Sequence, residues 1–416
     1  MVWPSLVPLL LLLLAGGVHA GGEIAEHMLS GNLTTAVDAE HALQGSHQPP
    51  PWPEPHAPPD RTRCGPHYIM LGCQKCGSTS FWSYLRAGFH PEANISSHAV
   101  KEIHYFGVHS AADSPLHMSP EGYESLFPPR AARGGGDVGA SCAQLAAAGA
   151  GARVQLQVVG DASPGYLSTW DTPRRAAALY PDARIVVALR DPTARVLSSH
   201  NMRHFLRMSV FENNNTAALR RLPPEELRAH YIAGLTAIVD NETAAVEACL
   251  ARGGGPAGCW ERERPLLDIF GLQGAVWASL YEAHLRNWME WFPPAQWLVW
   301  SSEDFAANPV AHMQQFASWM GLDAGRSRPH AAMARRFAVA YPFDVPPTLV
   351  ERLRAFFEPH NQRLFNLLAE KGLGAAADAL RARFARAGAG SAAAAPAAAA
   401  AGSAEPAASQ AAGSPS

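Results

Sequence analysis

A glycine-rich stretch, "GCQKCGSTS" from Gly72 to Ser80, follows the apolar run "HYIML" and contains residues suited to binding an anion. A strand that leads through a glycine loop into a helix start aims backbone N–H groups and the helix dipole at a bound phosphate or sulfate. Hydroxyl side chains and one lysine add further donors. The predicted anion ligands are Lys75, Cys76, Gly77, Ser78, Thr79 and Ser80.

The lysine of this loop is misplaced for an ATP-binding P-loop. Lys75 lies two residues before Gly77, whereas the P-loop lysine follows the second glycine. The cation is therefore expected beside the bound group. Three other interpretations compete: an ordinary turn before a helix, a CxxC redox site formed by Cys73 and Cys76, or half of a zinc site. The sequence shows neither a second zinc ligand pair at matching spacing nor a second element of a redox fold.

A second segment, "ARIVVALRDPTARVLSSH", has the composition of a buried strand followed by a helix. Arg190 ends the strand, and Ser198 follows eight residues later in the helix. A guanidinium can bind a phosphate through two parallel hydrogen bonds, and a serine hydroxyl can add a third. Ligands of open α/β sheets bind at the carboxyl edge of the strands, where the glycine loop also emerges. Alternatively, Arg190 is a structural ion-pair partner of Asp191.

Strand-like and helix-like runs alternate along the chain, which predicts an α/β fold. We expect a P-loop-like central parallel sheet flanked by helices on both faces. Strands are predicted in "HYIML", "VQLQVVG", "ARIVVAL" and "QWLVW". Helices are predicted after the first, third and fourth of these strands, and in "TPRRAAALYP".

Composition and charge divide the 416 residues into four parts. Residues 1–20 are predicted to be a signal peptide or short signal-anchor, and residues 21–63 a proline-rich stem. Residues 64–375 form the predicted catalytic domain, and residues 376–416, rich in Ala, Gly, Ser and Pro, a disordered tail. The net charge of −3 excludes a generally basic protein that coats nucleic acid.

Secretory entry is supported by glycosylation motifs and cysteines. Six cysteines suggest disulfides, with Cys249–Cys259 the predicted pair and Cys64–Cys142 a weaker one. The predicted N-glycosylation sites are Asn32, Asn94, Asn214 and Asn241.

The two anion-binding segments together resemble those of the sulfotransferases that use 3′-phosphoadenosine 5′-phosphosulfate (PAPS). "QKCGSTSFWSYL" is similar to the loop that binds the 5′-phosphosulfate of PAPS, and "RIVVALRDPTARVLSSH" to the motif that binds its 3′-phosphate. "HPEANISSHAVKEIHYF", "GDASPGYL" and "FFEPHNQRLFNLL" resemble stretches of the Golgi carbohydrate branch, which includes heparan sulfate sulfotransferases and the enzyme that 6-O-sulfates N-acetylgalactosamine 4-sulfate.

This resemblance implies sulfuryl transfer from PAPS to a hydroxyl of a glycan, such as a glycosaminoglycan, without a metal. Lys75 would contact the bridging oxygen of PAPS, and Glu102 would be the general base, with His104 the alternative base. The expected location is the secretory pathway, in the Golgi lumen, anchored or secreted. Alternatives are a tyrosylprotein or other non-glycan sulfotransferase, a non-catalytic lumenal binding module, and, more distantly, a P-loop kinase.

Overall fold

The structure, a computed structural model, describes seven stretches of the chain and three isolated residues. The stretches are 65–95, 102–109, 118–127, 158–209, 221–253, 274–329 and 342–389, and the isolated residues are Leu219, Pro256 and Cys259. No helix within these residues combines the length and the apolar character needed to cross a bilayer.

Five strands form one parallel sheet in the order β2-β3-β1-β4-β5. The strands are β1 (Tyr68–Gly72), β2 (Ala93–Ile95), β3 (Val158–Ala162), β4 (Arg184–Leu189) and β5 (Trp297–Ser301). All four strand pairs are parallel. This arrangement confirms the predicted fold class, although the three-residue edge strand β2 was not predicted.

Eleven α-helices surround the sheet in the described residues. They are α1 (Ser78–Arg86), α2 (Pro120–Glu124), α3 (Thr172–Leu179), α4 (Pro192–Ser209), α5 (Pro224–Ala237), α6 (Thr243–Ala251), α7 (Tyr281–Trp291), α8 (Ser302–Ala307), α9 (Pro309–Trp319), α10 (Pro347–Glu370) and α11 (Gly374–Ala389). The connection after β1 leads towards the β2 edge of the sheet, whereas the connections after β3 and β4 lead towards the β5 edge. Because parallel crossovers are right-handed, these directions place helices on both faces.

The strand order creates a crevice between β1 and β4. β1 leads away towards β2, whereas its neighbour β4 leads in the opposite direction towards β5. Such a reversal between adjacent strands is the usual ligand position of open α/β sheets. Both strands are buried along almost their whole length, as their apolar sequences require.

The C-terminal boundary of the folded domain differs from the prediction. Residues 376–389, assigned to a disordered tail, belong to helix α11, which packs on α10 and β5. Ala377, Leu380 and Phe384 lie three and four residues apart, so they share one helix face, and all three are buried. These three buried side chains attach the alanine-rich helix to the domain. The prediction was wrong because it relied on the Ala-rich composition of the segment and not on the helical spacing of its apolar residues.

Several predicted features can be located. A disulfide joins Cys249 and Cys259, as predicted. Asn94 is half-buried in β2, and Asn241 is exposed in the turn Ile238–Glu242; their glycosylation stays a prediction. Residues 1–64, Asn32, Asn214, the Cys64–Cys142 pair and residues 390–416 lie outside the described residues.

Leu380→Ala is expected to lower the free energy of unfolding by about 2–5 kcal/mol, because Leu380 is fully buried between α11 and the domain core. Denaturant unfolding monitored by circular dichroism measures the change. Arg386→Ala, at an exposed position of the same helix, is the control and should change stability by less than about 0.5 kcal/mol. Equal effects of both substitutions would contradict the docking of α11.

Candidate active site

The loop after β1 depends on two glycines. Gly72 has a φ of 109°, and a Cβ at this position would come within 2.8 Å of the main chain of Pro164. Gly77, with a φ of 97°, directly precedes α1, and no side chain caps the helix there. The first amides of a helix have no acceptor within the helix. The loop therefore ends in backbone donors without an acceptor in the helix, with Ser78 buried and Thr79 and Ser80 half-buried.

The second predicted segment meets this loop in the crevice. Nη1 of Arg190, directly after β4, donates a hydrogen bond of 3.3 Å to the main-chain oxygen of Lys75. The two residues are 115 positions apart in the chain. The structure thus brings together the loop lysine and the arginine that the sequence placed at the carboxyl edge of the sheet.

Lys75 carries its charge in an unfavourable environment. Burial, followed by the positive charges of Arg190 and Arg195, lowers the pKa of Lys75 to about 8. In the part of the chain that the structure describes, its ammonium group has no hydrogen bond and no ion pair. A partly desolvated cation without a counter-charge is stabilised by a bound anion, because the anion supplies the opposite charge.

Arg190 is not an ion-pair partner of Asp191. Asp191 instead caps α4, where its carboxylate accepts a hydrogen bond of 2.7 Å from the Ala194 N–H. Burial raises the pKa of Asp191 to about 6. Among the described residues, the bond to Lys75 is the only hydrogen bond or ion pair of the Arg190 side chain. Most of the guanidinium donors of Arg190 are therefore available to a ligand.

Ser198 lies in the second turn of α4, half-buried. No contact between described residues joins it to Lys75 or Arg190, so its role in binding phosphate stays a prediction. Sequence reasoning missed Arg195, one turn after Arg190 and 2 % exposed. Arg195 donates to the Ala275 oxygen and the Ser279 hydroxyl, while its Nε is buried without an acceptor.

The CxxC pair of the loop forms a disulfide between Cys73 and Cys76. The two residues are 1 % and 0 % exposed, and the Cys73 sulfur lies 3.3 Å from the Tyr281 hydroxyl. Reactive thiols of redox sites are partly exposed, and zinc ligands are thiolates. The burial of both residues argues against a redox site, and the disulfide leaves no thiolate to bind zinc; the bond cross-links the loop around Lys75.

Glu102 and His104 form a pair beside the loop. Oε2 of Glu102 and Nε2 of His104 are 3.3 Å apart, and both side chains are partly exposed. Both residues have a positive φ, of 72° and 53°, which is uncommon for residues other than glycine. No hydrogen bond or ion pair between described residues joins them to Lys75 or Arg190. The connection runs through Ser163, which binds the His104 N–H, and its neighbour Pro164, which packs against Gly72.

The predicted residues, together with Arg195, therefore form two chemically different groups. The first contains Lys75, Arg190 and Arg195, with free donors and a buried guanidinium nitrogen that lacks an acceptor. The second contains Glu102 and His104, which can accept a proton. The chemistry of the first group fits an anionic ligand such as a nucleotide phosphate or a phosphosulfate.

Comparisons with known proteins agree with the resemblance. The chain is 26 % identical over 345 residues to carbohydrate sulfotransferase 15 of Homo sapiens. The match covers 75 % of this chain and 54 % of that protein. The chain is 20 % identical over 324 residues to heparan sulfate glucosamine 3-O-sulfotransferase 3B1 of Mus musculus, covering 73 % and 63 %. The chain thus spans little more than half the length of the first of these relatives. The predicted similarity to carbohydrate sulfotransferases is confirmed.

Among solved structures, a sulfotransferase from Alicyclobacillus acidocaldarius is 22 % identical, with a TM-score of 0.43, and the match covers 73 % of this chain and 96 % of that one. No family model matches the sequence.

Lys75→Met is expected to raise the free energy of unfolding at about pH 7, by up to about 3 kcal/mol, because it removes a charge that burial disfavours. The pKa of Lys75 falls from 10.5 in the unfolded chain to about 8 in the folded protein. The folded protein therefore loses this proton first, and the penalty disappears as pH rises from about 8 to 10.5. The gain should accordingly shrink at about pH 10.

Denaturant unfolding of the ligand-free protein at the two pH values measures this difference. Lys371→Met, at the exposed end of α10, is the matched control and should have little effect at either pH. If Lys75→Met does not raise the free energy of unfolding at neutral pH, or raises it equally at both pH values, then Lys75 is not a desolvated, unpaired cation.

Proposed function

We propose that this protein is a sulfotransferase that moves the sulfuryl group of PAPS to a hydroxyl of a glycan acceptor. The observation that carries the proposal is the hydrogen bond from Arg190 to the main chain of Lys75. That bond joins two segments, each similar to one half of a PAPS site, in the crevice between β1 and β4. The similarity to carbohydrate sulfotransferases supports the same activity.

PAPS supplies an activated sulfuryl group on a nucleotide that also carries a 3′-phosphate. The loop amides of Gly77 and Ser78 and the hydroxyls of α1 bind its phosphosulfate end. Arg190 and Ser198 bind the 3′-phosphate, as the resemblance implies. Arg195, buried behind Lys75 and Arg190, adds positive charge without needing to touch the nucleotide.

Lys75 opposes the negative charge that builds on the leaving phosphate. With a pKa of about 8, most of its ammonium groups remain protonated at neutral pH. A bound polyanion raises this pKa again, because opposite charge favours the protonated form. The site therefore holds the cation in its active form when the donor is present.

Glu102 takes the proton from the attacking glycan hydroxyl. His104, 3.3 Å from its carboxylate, orients Glu102 and shares the proton after transfer. Sulfuryl transfer needs alignment, charge stabilisation and a base, and Lys75 and Glu102 supply the last two. The positive charge that the transfer requires comes from Lys75, the two arginines and the loop amides.

The two disulfides, Cys73–Cys76 and Cys249–Cys259, support a location in the secretory pathway, because such bonds persist in oxidising compartments. We propose the Golgi lumen, where the N-terminal signal or anchor would deliver the domain. The glycosaminoglycan class of acceptor is proposed from the similarity to a carbohydrate sulfotransferase and to a heparan sulfate sulfotransferase.

The proposal is tested by incubating the purified protein with PAPS carrying a labelled sulfuryl group and, separately, chondroitin, dermatan and heparan sulfate and a tyrosine-containing peptide. Label is expected on a glycan.

Arg190→Ala should weaken the affinity for the desulfated product by about 10- to 100-fold, because it removes charge-assisted hydrogen bonds. Calorimetry measures that affinity, and Arg352→Ala, exposed on α10, is the control.

Label found only on the peptide would favour a non-glycan sulfotransferase. Binding of the nucleotide without label on any acceptor would favour a non-catalytic module. Absence of nucleotide binding by the wild-type protein would reject the donor site itself.

Glu102→Gln is expected to lower kcat for labelling the glycan by about 100-fold or more, because the amide cannot accept the proton. The affinity for the desulfated nucleotide should stay within about threefold of wild type, since Glu102 lies outside the cationic group. His104→Gln is the matched comparison and is expected to reduce kcat less. A larger loss for His104→Gln would make His104 the base.

A further inference from the structure

Asp161, at the end of β3, is a fully buried carboxylate. It is 0 % exposed and lies beside Ile69 of β1 in the sheet. Three hydroxyl groups donate to it: Ser163 to Oδ1 at 2.7 Å, Tyr166 to Oδ2 at 2.9 Å and Tyr123 to Oδ2 at 3.0 Å. Three hydroxyl donors match an ionised carboxylate, which can only accept hydrogen bonds.

Two of these hydroxyls connect Asp161 to the segment that carries Glu102 and His104. The Ser163 hydroxyl accepts the main-chain N–H of His104 at 3.0 Å, and the Tyr166 hydroxyl accepts the N–H of Phe106 at 3.4 Å. A hydroxyl has one hydrogen, so a hydroxyl that donates to Asp161 must turn its lone pairs towards these N–H groups. We call Ser163 and Tyr166, acting in this way, the hydroxyl relay.

The electrostatics keep the two phenols neutral, whereas burial disfavours the ionised form of Asp161. Burial, followed by the charge of Asp161, raises the pKa of Tyr123 and of Tyr166 well above its ordinary value, so both phenols remain neutral donors. Burial also raises the pKa of Asp161, while hydrogen bonds from the three hydroxyls and the charge of His104 oppose that rise.

The segment held by the relay needs external support. His104 has a left-handed backbone with a φ of 53°, and Glu102 one of 72°. Such conformations persist in residues other than glycine where the surroundings enforce them. Hydrogen bonds to the N–H groups of His104 and Phe106 provide this constraint. Pro164, which follows Ser163 and packs against Gly72, connects the segment to the glycine loop that is proposed to bind PAPS, here called the donor loop.

We propose that Asp161 is a positioning residue for sulfuryl transfer, which orients the hydroxyls of Ser163 and Tyr166 and through them holds the Glu102–His104 pair at the donor loop. This inference rests on the proposed function. Asp161 does not touch the reacting groups. Its effect is to fix where the base lies, and misplacement of a catalytic group by about 1 Å can reduce turnover about 100-fold.

Tyr123 offers a matched control for the relay. Tyr123 and Tyr166 both donate to Oδ2 of Asp161, but only Tyr166 also accepts a main-chain N–H from the segment of the base. Both rings are buried in the same aromatic cluster. Tyr123→Phe and Tyr166→Phe thus remove the same kind of bond to Asp161 and differ in the relay.

The test compares Ser163→Ala, Tyr166→Phe, Asp161→Asn and Tyr123→Phe, with PAPS as donor and the glycan that the wild type labels best. The first three variants should lower kcat by about 10- to 100-fold, with KM for PAPS within about threefold of wild type. Tyr123→Phe should stay within about threefold for both parameters. Hydrogen exchange followed by mass spectrometry should be faster in the peptide containing His104 and Phe106 for the first three variants only.

Equal losses of kcat in Tyr123→Phe and Tyr166→Phe would overturn the inference, because the network would then only stabilise the fold. Full activity of Asp161→Asn would overturn it as well. If Asp161→Asn does not fold, the comparison of Ser163→Ala and Tyr166→Phe with Tyr123→Phe decides the question alone.

If the wild-type protein labels no acceptor, the proposed function is rejected, and hydrogen exchange alone tests the hydroxyl relay. Faster exchange at residues 104–106 in Ser163→Ala and Tyr166→Phe, but not in Tyr123→Phe, would then support the relay. Equal exchange in all variants would overturn it.

Discussion

The hydrogen bond between the Arg190 guanidinium and the main-chain oxygen of Lys75 links two segments that the chain separates by 115 residues. It is possible because β1 and β4 are neighbours in register, so that their carboxyl ends open into the same crevice. The glycine loop, the start of α4 and the cations Lys75, Arg190 and Arg195 owe their proximity to this pairing. Without it, the loop that contains Lys75 and the segment that contains Arg190 would not meet in one crevice.

The cations in the crevice are arranged for a ligand, at the expense of the ligand-free fold. Lys75, Arg190 and Arg195 lie close enough for the two arginines to lower the pKa of the lysine. Like charges held this close, with Arg195 buried and Lys75 partly desolvated, are unfavourable until an anion enters. On the other side of Pro164, Asp161, Glu102 and His104 form a region of acceptors. The candidate site therefore has a cationic side and a side lined with hydrogen-bond acceptors.

The strand–loop–helix around Lys75 and the position of Arg190 after β4 could be predicted, because short local motifs after buried strands determine them. Asp161 and its hydroxyl partners could not, because Tyr123 and Asp161 are 38 residues apart and only the folded chain brings them together. Helix α11 was missed because its alanine-rich composition resembles the tail beyond it, although Ala377, Leu380 and Phe384 have helical spacing. The edge strand β2 is three residues long, too short for a recognisable pattern.

The cross-link between Cys73 and Cys76 places a covalent bond inside the glycine loop that contains Lys75. Synthesis of the chain does not supply this bond, so the loop is completed only when an oxidant removes two electrons and two protons from the thiols. Under the proposed function, completion of the loop would therefore require an oxidising compartment such as the secretory pathway. Protein prepared in a reducing cytosol has the same sequence but a chemically different loop around Lys75.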